Sequence, residues 1–221
     1  MLQRILVWDI PTRVFHWSLA LSFAGAWLTA ESERYRDIHV ALGYTLLGLI
    51  VFRLLWGFVG SRYARFDSFL YGPKKVAAYL RSLLTPNPEH HVGHNPAGSW
   101  AIFLLLGLGL LAGISGILLF QEAGGEEAFE ELHEIAANGM LAVVLVHIAG
   151  VVVSSWLHRE NLVRSMVTGY KTAEADAGIR SSYAWLGAIM AALIAGFLVY
   201  YQASAPDATP TESEHTMHQE D

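Results

Sequence analysis

Five apolar stretches constrain what this chain of 221 residues can fold into. They lie near residues 12–30, 39–59, 98–120, 136–157 and 182–201, and each approaches or reaches the roughly 20 residues that a helix needs to cross a bilayer. Only 15% of the residues are charged, whereas soluble domains average about a quarter. The sequence therefore predicts an all-α integral membrane protein, and not a soluble fold with a membrane anchor.

Basic residues are distributed unevenly between these stretches. If the N-terminus is cytoplasmic, eleven of the fourteen Lys and Arg residues fall on the cytoplasmic side, only Arg34 and Arg36 fall outside, and Arg53 lies within the second stretch. The positive-inside rule thus predicts a multi-pass protein of the bacterial inner membrane with a cytoplasmic N-terminus. Five spans then place the C-terminus in the periplasm.

The first thirty residues share some features with a secretory signal peptide, which would be removed. The segment Trp8–Arg13 interrupts the apolar run, and His16 stands inside it between Phe15 and Trp17. A cleavable segment has no use for such a histidine, so we predict that residues 12–30 are retained as the first transmembrane helix.

The chain contains no cysteine. This excludes disulfides, iron–sulfur clusters held by thiolates and the covalent attachment of c-type haem. A redox cofactor must be held by histidine or methionine, or by shape. Four of the ten histidines fall in or at the ends of the apolar stretches, and an ionisable group inside a membrane normally has a partner or a function. These four are His16, His39, His133 and His147.

The spacing of these histidines predicts two sites. His133 and His147 are fourteen positions apart, so both leave one helix face, about 21 Å apart along the axis. Because successive helices run in opposite directions, His16 falls at the depth of His147 and His39 at the depth of His133. The sequence predicts an inner pair, His16–His147, and an outer pair, His39–His133, as histidines facing inward in a helical bundle form cofactor sites.

The donor set favours two haem b groups over zinc. Structural zinc uses four clustered ligands and catalytic zinc about three, whereas two separated His–His pairs match the axial positions of two haem irons. A haem held on both sides carries electrons and has no free position for a substrate. A histidine relay in a proton channel or transporter remains an alternative at this point.

Several segments resemble the prokaryotic cytochrome b-561 family, which includes the cytochrome b subunit of membrane-bound nickel–iron hydrogenases. They are Trp8–Trp17 (WDIPTRVFHW), His39–Gly43 (HVALG), Gly93–Gly98 (GHNPAG), the His133/His147 pair, Glu160–Arg164 (ENLVR) and Met166–Lys171 (MVTGYK). The resemblance covers about residues 5 to 175. It implies a four-helix core with two b-type haems on His16, His39, His133 and His147, passing electrons between the quinone pool and a redox partner.

Three further residues are candidates for cofactor binding. Arg13 precedes His16 by one turn and is placed to pair with a propionate of the inner haem. His94, in the Gly-His-Asn-Pro segment, is a candidate for a propionate or quinone contact, although a role at the start of a helix fits equally. Arg53 needs a partner within the membrane, unless it snorkels to the inner interface.

The chain is thus expected to comprise a di-haem four-helix membrane domain (1–181), a fifth transmembrane helix (182–202) and a disordered acidic tail (203–221). A short surface helix is predicted near 76–84, and an outer loop over 121–134. The predicted function is electron relay across the bilayer between the quinone pool and a periplasmic partner. That partner is a c-type cytochrome, a hydrogenase or another dehydrogenase, and no nucleic acid is involved. A stand-alone quinone-linked oxidoreductase, acting on oxygen or superoxide, is the alternative.

Overall fold

The computed structural model describes residues 1–204. The acidic tail predicted over 203–221 lies outside the described residues from position 205 onward, and residues 203 and 204 are the last of a helix. The described part contains seven α-helices and one small sheet. The helices are α1 (Ile10–Thr29), α2 (Arg36–Val59), α3 (Pro73–Ser82), α4 (Pro96–Phe120), α5 (Glu126–Leu157), α6 (Leu162–Thr168) and α7 (Ala184–Ser204).

Within residues 1–204, four helical segments are long and apolar enough to cross a membrane. They are Glu33–Val59, Pro96–Phe120, Glu126–His158 and Ala184–Ser204. The chain is therefore a mostly helical, multi-pass membrane protein. Helix α1 also has the length of a span, at 20 residues, but it is not among the four, because Arg13, His16 and several Ser and Thr residues make it less apolar.

The long helices are arranged as two antiparallel hairpins. Helix α1 packs against α2 and α4 packs against α5, while α2 contacts α4 and so joins the two hairpins. Helix α7 packs on α1 and α2. The largest buried cluster takes residues from all five of these helices, namely Phe15, Leu46, Leu49, Ile50, Leu106, Met140 and Met190.

Two of the glycines in α4 set the distance between the hairpins. A Cβ atom on Gly109 would stand 2.5 Å from Cδ1 of Ile50, and one on Gly113 would stand 3.0 Å from Cδ1 of Leu47. The sequence did not decide whether the glycines of this helix permit helix contact or clear room for a macrocycle. At these two positions they permit close approach to α2, as small residues do between membrane helices.

The prediction that the fold is entirely α-helical is wrong at one end of the bundle. Residues Leu2–Leu6 form strand β1, which pairs antiparallel with strand β2 (Tyr170–Glu174) in the register Leu2 to Glu174 and Leu6 to Tyr170. Each strand is only five residues long and lies outside the apolar stretches. Pairing over 160 positions of sequence is a tertiary event that local patterns do not reveal.

The predicted outer loop over 121–134 is also too long. Helix α5 begins at Glu126, eight residues before the predicted end of that loop. Glu126 and Glu127 lie in its first turn, where negative charge is favourable to the helix dipole. The predicted surface helix near 76–84 exists as α3, and the predicted fifth helix over 182–202 exists as α7.

A buried carboxylate fixes the start of α1. Asp9 is fully buried, and its Oδ1 accepts a hydrogen bond of 2.7 Å from the backbone N–H of Thr12 as the helix N-cap. Its Oδ2 accepts hydrogen bonds from Nε1 of Trp56, at 3.1 Å, and from Oγ of Ser61. Asp9 therefore ties the first helix to the end of α2 and the segment that follows it.

Replacing Asp9 by Ala is expected to destabilise the protein. The loss of the cap costs about 1 kcal/mol, and the buried donors left without an acceptor add about 1–3 kcal/mol. The measurement is the midpoint of thermal unfolding in detergent, followed by far-ultraviolet circular dichroism. Asp67→Ala is the control, because that carboxylate is 68% exposed, and an equal loss in both variants would contradict the assignment.

Candidate cofactor sites

The inner pair of histidines meets between α1 and α5. The ring of His16 lies with its centroid 6.4 Å from that of His147, and the planes are inclined by 53°. Trp17 packs edge-on against the ring of His16 at 5.0 Å. Atom Nδ1 of His16 is buried and has no hydrogen-bond partner among the described residues. The structure thus brings together the two residues that depth matching pairs in the sequence.

The outer pair meets between α2 and α5. The ring centroids of His39 and His133 are 6.1 Å apart, with the planes inclined by 68°. Nδ1 of His39 lies 2.9 Å from the backbone oxygen of Ala26, and Nδ1 of His133 lies 2.8 Å from that of Ala112. Since a carbonyl oxygen only accepts, each Nδ1 carries the proton and each Nε2 is left as a free metal ligand.

These separations fit one metal ion between the rings of each pair. Metal–imidazole bonds of about 2.0–2.1 Å place two opposing nitrogens about 4 Å apart, and the two ring radii add about 2 Å to the centroid distance. Each pair also joins two helices across the bundle, and within the described residues α1 and α5 are not a closely packed pair. The separation of the rings and the donor set therefore both fit a haem held by two histidines.

Polar atoms without partners gather on the side of the inner pair. Six such buried atoms occur within residues 1–204. One is Nε2 of His91, and the other five are Nδ1 of His16, Oγ1 of Thr12, Nε of Arg13, Nη1 of Arg53 and Nδ1 of His94. Buried polar groups are normally hydrogen-bonded, so such a group of atoms calls for an explanation. A cofactor that carries carboxylates would provide partners for the two arginines, because arginine pairs well with carboxylate groups.

Arg53 is the most deeply buried of these cations. It is only 3% exposed, so the interpretation that it snorkels to the interface is wrong. Its guanidinium carbon lies 4.9 Å from the ring centroid of Phe66 and 5.8 Å from that of Phe69. No carboxylate among the described residues forms an ion pair with it.

Arg13 and His94 are each held by neighbours. Nη2 of Arg13 donates to the backbone oxygen of Val167. His94 lies between two aromatic rings, 4.7 Å from Trp8 and 4.4 Å from Phe69 between centroids. Burial, and then the charge of Arg53, lower the pKa of His94 to about 3, so its imidazole is neutral. Asn95, and not His94, caps helix α4 by accepting from the N–H of Gly98.

A cluster of charged residues beyond the end of α5 was not expected from the sequence. Glu160 accepts from Nε2 of His90 at 3.2 Å and from Nζ of Lys171 at 3.1 Å, and Lys171 is buried. Burial raises the pKa of Glu160, but these two partners outweigh it and leave that pKa below its usual value. The ring of His158 lies 5.1 Å from that of His90. The cluster fastens β2 to the end of α5, and only the long-range fold brings it together.

The comparison with protein families decides the class of this protein. The model of the family described as prokaryotic cytochrome b561 matches residues 7–169. The chain belongs to this family. Membership implies the binding of b-type haem and a role in membrane electron transfer. The matched range contains all four paired histidines, and the resemblance drawn from the sequence motifs is confirmed.

Curated relatives carry more specific names. The chain is 27% identical to a protein of Rhizobium leguminosarum bv. viciae, with 76% of this chain and 88% of that protein covered. It is 25% identical to one of Azotobacter vinelandii, covering 78% and 90%. Each is named "Probable Ni/Fe-hydrogenase B-type cytochrome subunit". No solved structure matches the chain significantly.

Gly116 provides a test of the outer site. A Cβ atom there would stand 3.0 Å from Cε1 and Nδ1 of His133, so Gly116→Val is expected to push the ring from the Ala112 carbonyl and lower the b-type haem bound per chain. Gly107→Val on the same helix is the control, since a Cβ atom at that position meets nothing within 4 Å. Haem is measured by absorbance of the pyridine complex against protein. Full haem in Gly116→Val would contradict this view of the site.

Proposed function

We propose that the protein is a di-haem cytochrome b that relays electrons across the bilayer between the quinone pool and a periplasmic redox partner. The observation that carries the proposal is the matched geometry of the two histidine pairs, 6.4 Å and 6.1 Å between ring centroids, within a chain of the cytochrome b561 family. When bound, haem b supplies one-electron chemistry at its iron.

We assign the four histidines as the residues that would hold the haems. His16 and His147 would hold the inner haem, and His39 and His133 the outer one. A haem held by two histidines would have no free position for a substrate, which favours electron transfer over oxygen chemistry. The Nδ1 contacts of His39 and His133 with backbone oxygens fix their rings for this task.

We assign Arg13, Arg53 and His94 to the carboxylates of the inner haem. Each carries a buried nitrogen without a partner. Arg53 and Arg13 supply positive charge, and neutral His94 supplies a hydrogen bond in a site enclosed by Trp8 and Phe69. Anchoring the propionates in this way would place the cofactor's charge where the chain already holds cations.

The proposed topology has five spans, with the N-terminus in the cytoplasm. Strand pairing supports it, because β1 and β2 lie on one side of the membrane and an even number of crossings must separate them. Helices α2, α4 and α5 each have the length and hydropathy of a span. These three crossings alone would leave the two strands on opposite sides, so we count α1 as a crossing as well. Helix α7 follows β2 in the chain and adds a fifth span. The distribution of basic residues supports the direction.

The nature of the partner is inferred from the relatives. Their names describe cytochrome subunits of nickel–iron hydrogenases, and we propose a periplasmic hydrogenase as the partner of this chain. Acidic side chains of Glu126, Glu127, Glu130, Glu131 and Glu134 are exposed at the outer end of α5. They would complement a basic docking face, as charge complementarity guides the association of redox proteins.

Haem content tests the assignment of the ligands. Purified protein is expected to bind two haems per chain and to show the split reduced bands of low-spin haem b. His147→Ala is expected to lose the inner haem and keep the outer one, because His39 and His133 are untouched. His215→Ala is the control, because His215 lies beyond the last apolar stretch of the sequence. A colourless protein would refute the proposal and favour a histidine relay, and one haem per chain in the wild type would refute the assignment of two haem sites.

Reduction of the haem by a quinol tests the proposed electron exchange with the quinone pool. Adding a soluble short-chain quinol to the oxidised protein is expected to reduce its haem, as seen in the visible spectrum. His39→Ala,His147→Ala, which lacks a ligand at each site, serves as the control. A wild-type protein that no benzoquinol or naphthoquinol reduces, while dithionite reduces it fully, would contradict the quinone link.

A further inference from the structure

The two histidine pairs differ in how their rings are held. Both outer histidines donate from Nδ1 to a backbone oxygen, at 2.9 Å for His39 and 2.8 Å for His133. Such a bond raises the basicity of the ligating nitrogen, and a more basic ligand stabilises the oxidised iron. At the inner pair, Nδ1 of His16 is buried and has no such acceptor among the residues that the structure describes.

The buried cation of α2 lies at the depth of the inner pair. Arg53 follows His39 by fourteen residues on the same helix, so it leaves the same helix face about 21 Å farther along the axis. His133 and His147 have the same spacing on α5. The guanidinium carbon of Arg53 lies 5.8 Å from the ring centroid of Phe69, and that ring lies 4.4 Å from the ring of His94, which we assigned to the inner haem.

The charge of Arg53 is only partly offset. The charge of Asp9 acts on it, but the Asp9 carboxylate also accepts hydrogen bonds from the N–H of Thr12, from Trp56 and from Ser61. The guanidinium is 3% exposed and packed on two phenylalanine rings, and its Nη1 has no hydrogen-bond partner within residues 1–204. Charge acts strongly in such an environment because water does not screen it. The acids at the outer end of α5 are exposed, where solvent and salt weaken their effect.

We infer that Arg53 and the unequal ring contacts give the inner haem the higher midpoint potential of the two. This inference rests on the proposed function, since it requires a haem at each pair. Reduction removes one positive charge from the iron, so a nearby buried cation favours the reduced form. The sign is the same whether Arg53 acts on the iron directly or neutralises a carboxylate of the haem. At equilibrium, an electron on the protein therefore resides at the inner site.

Redox titration of the purified holoprotein, followed by visible absorbance, tests the inference. The wild type is expected to show two components. His147→Ala should retain only the outer haem and His39→Ala only the inner one, so the two variants assign the components. Arg53→Gln is expected to lower the midpoint potential of the inner component and leave the outer one in place. Arg53→Lys, which keeps the charge, should restore most of the shift.

Two further variants separate charge from structure. Asp9→Asn keeps the oxygen that caps the helix at Thr12 and removes the negative charge, although its NH2 group no longer accepts from Trp56. It is expected to raise the inner potential, opposite in sign to Arg53→Gln. Arg62→Gln is the matched control, because Arg62 is an exposed arginine that packs over Tyr63. It should leave both potentials unchanged. A general disturbance of packing does not produce shifts of opposite sign.

The outcomes distinguish the inference from the proposed function. Two haems per chain with the outer one at the higher potential, or with an inner potential that Arg53→Gln does not lower, would overturn the inference and leave the di-haem assignment standing. Fewer than two haems in the wild type would refute the proposed function, and the inference with it. The expected order with shifts of opposite sign supports both.

Discussion

The contact between α2 and α4 sets the dimensions of both histidine pairs. Gly109 and Gly113 let the side chains of Ile50 and Leu47 approach the backbone of α4, and this contact is what joins the two helical hairpins. His133 and His147 belong to the second hairpin, while His16 and His39 belong to the first. The separation of the hairpins therefore determines the distance between the rings, and one packing contact serves two sites about 21 Å apart.

The two ends of the bundle differ in the hydrogen-bond partners of their buried polar groups. At the outer end, each imidazole satisfies its own Nδ1 with a backbone oxygen of a neighbouring helix. At the inner end, Asp9 collects three donors, while nitrogens of Arg13, His16, Arg53 and His94 stay without partners. Since buried groups without partners are costly, the inner end keeps nitrogens that a charged ligand would satisfy, whereas the Nδ1 atoms of the outer histidines are already satisfied by the protein.

Much of this arrangement could be predicted from the sequence, and the exceptions share a cause. Helical periodicity fixes which residues share a face, so the histidine pairs and the short surface helix followed from spacing and composition. The β1–β2 pairing, the Glu160–Lys171 contact and the early start of α5 did not. The strand pairing joins residues that are distant in sequence, and the Glu160–Lys171 contact joins residues in polar connections. The start of α5 depends on acidic residues that are equally typical of a loop and of the first turn of a helix.

The membrane character of the chain, its family motifs and the position of each histidine along its helix follow from the sequence alone, because these depend on local composition and on the rise of a helix per residue. The fold was needed to learn that Arg53 is buried on two phenylalanine rings and not extended to the interface. It also decided that the outer histidines bond to Ala26 and Ala112. Such features depend on how neighbouring helices are rotated and how closely they pack, which a single sequence does not specify.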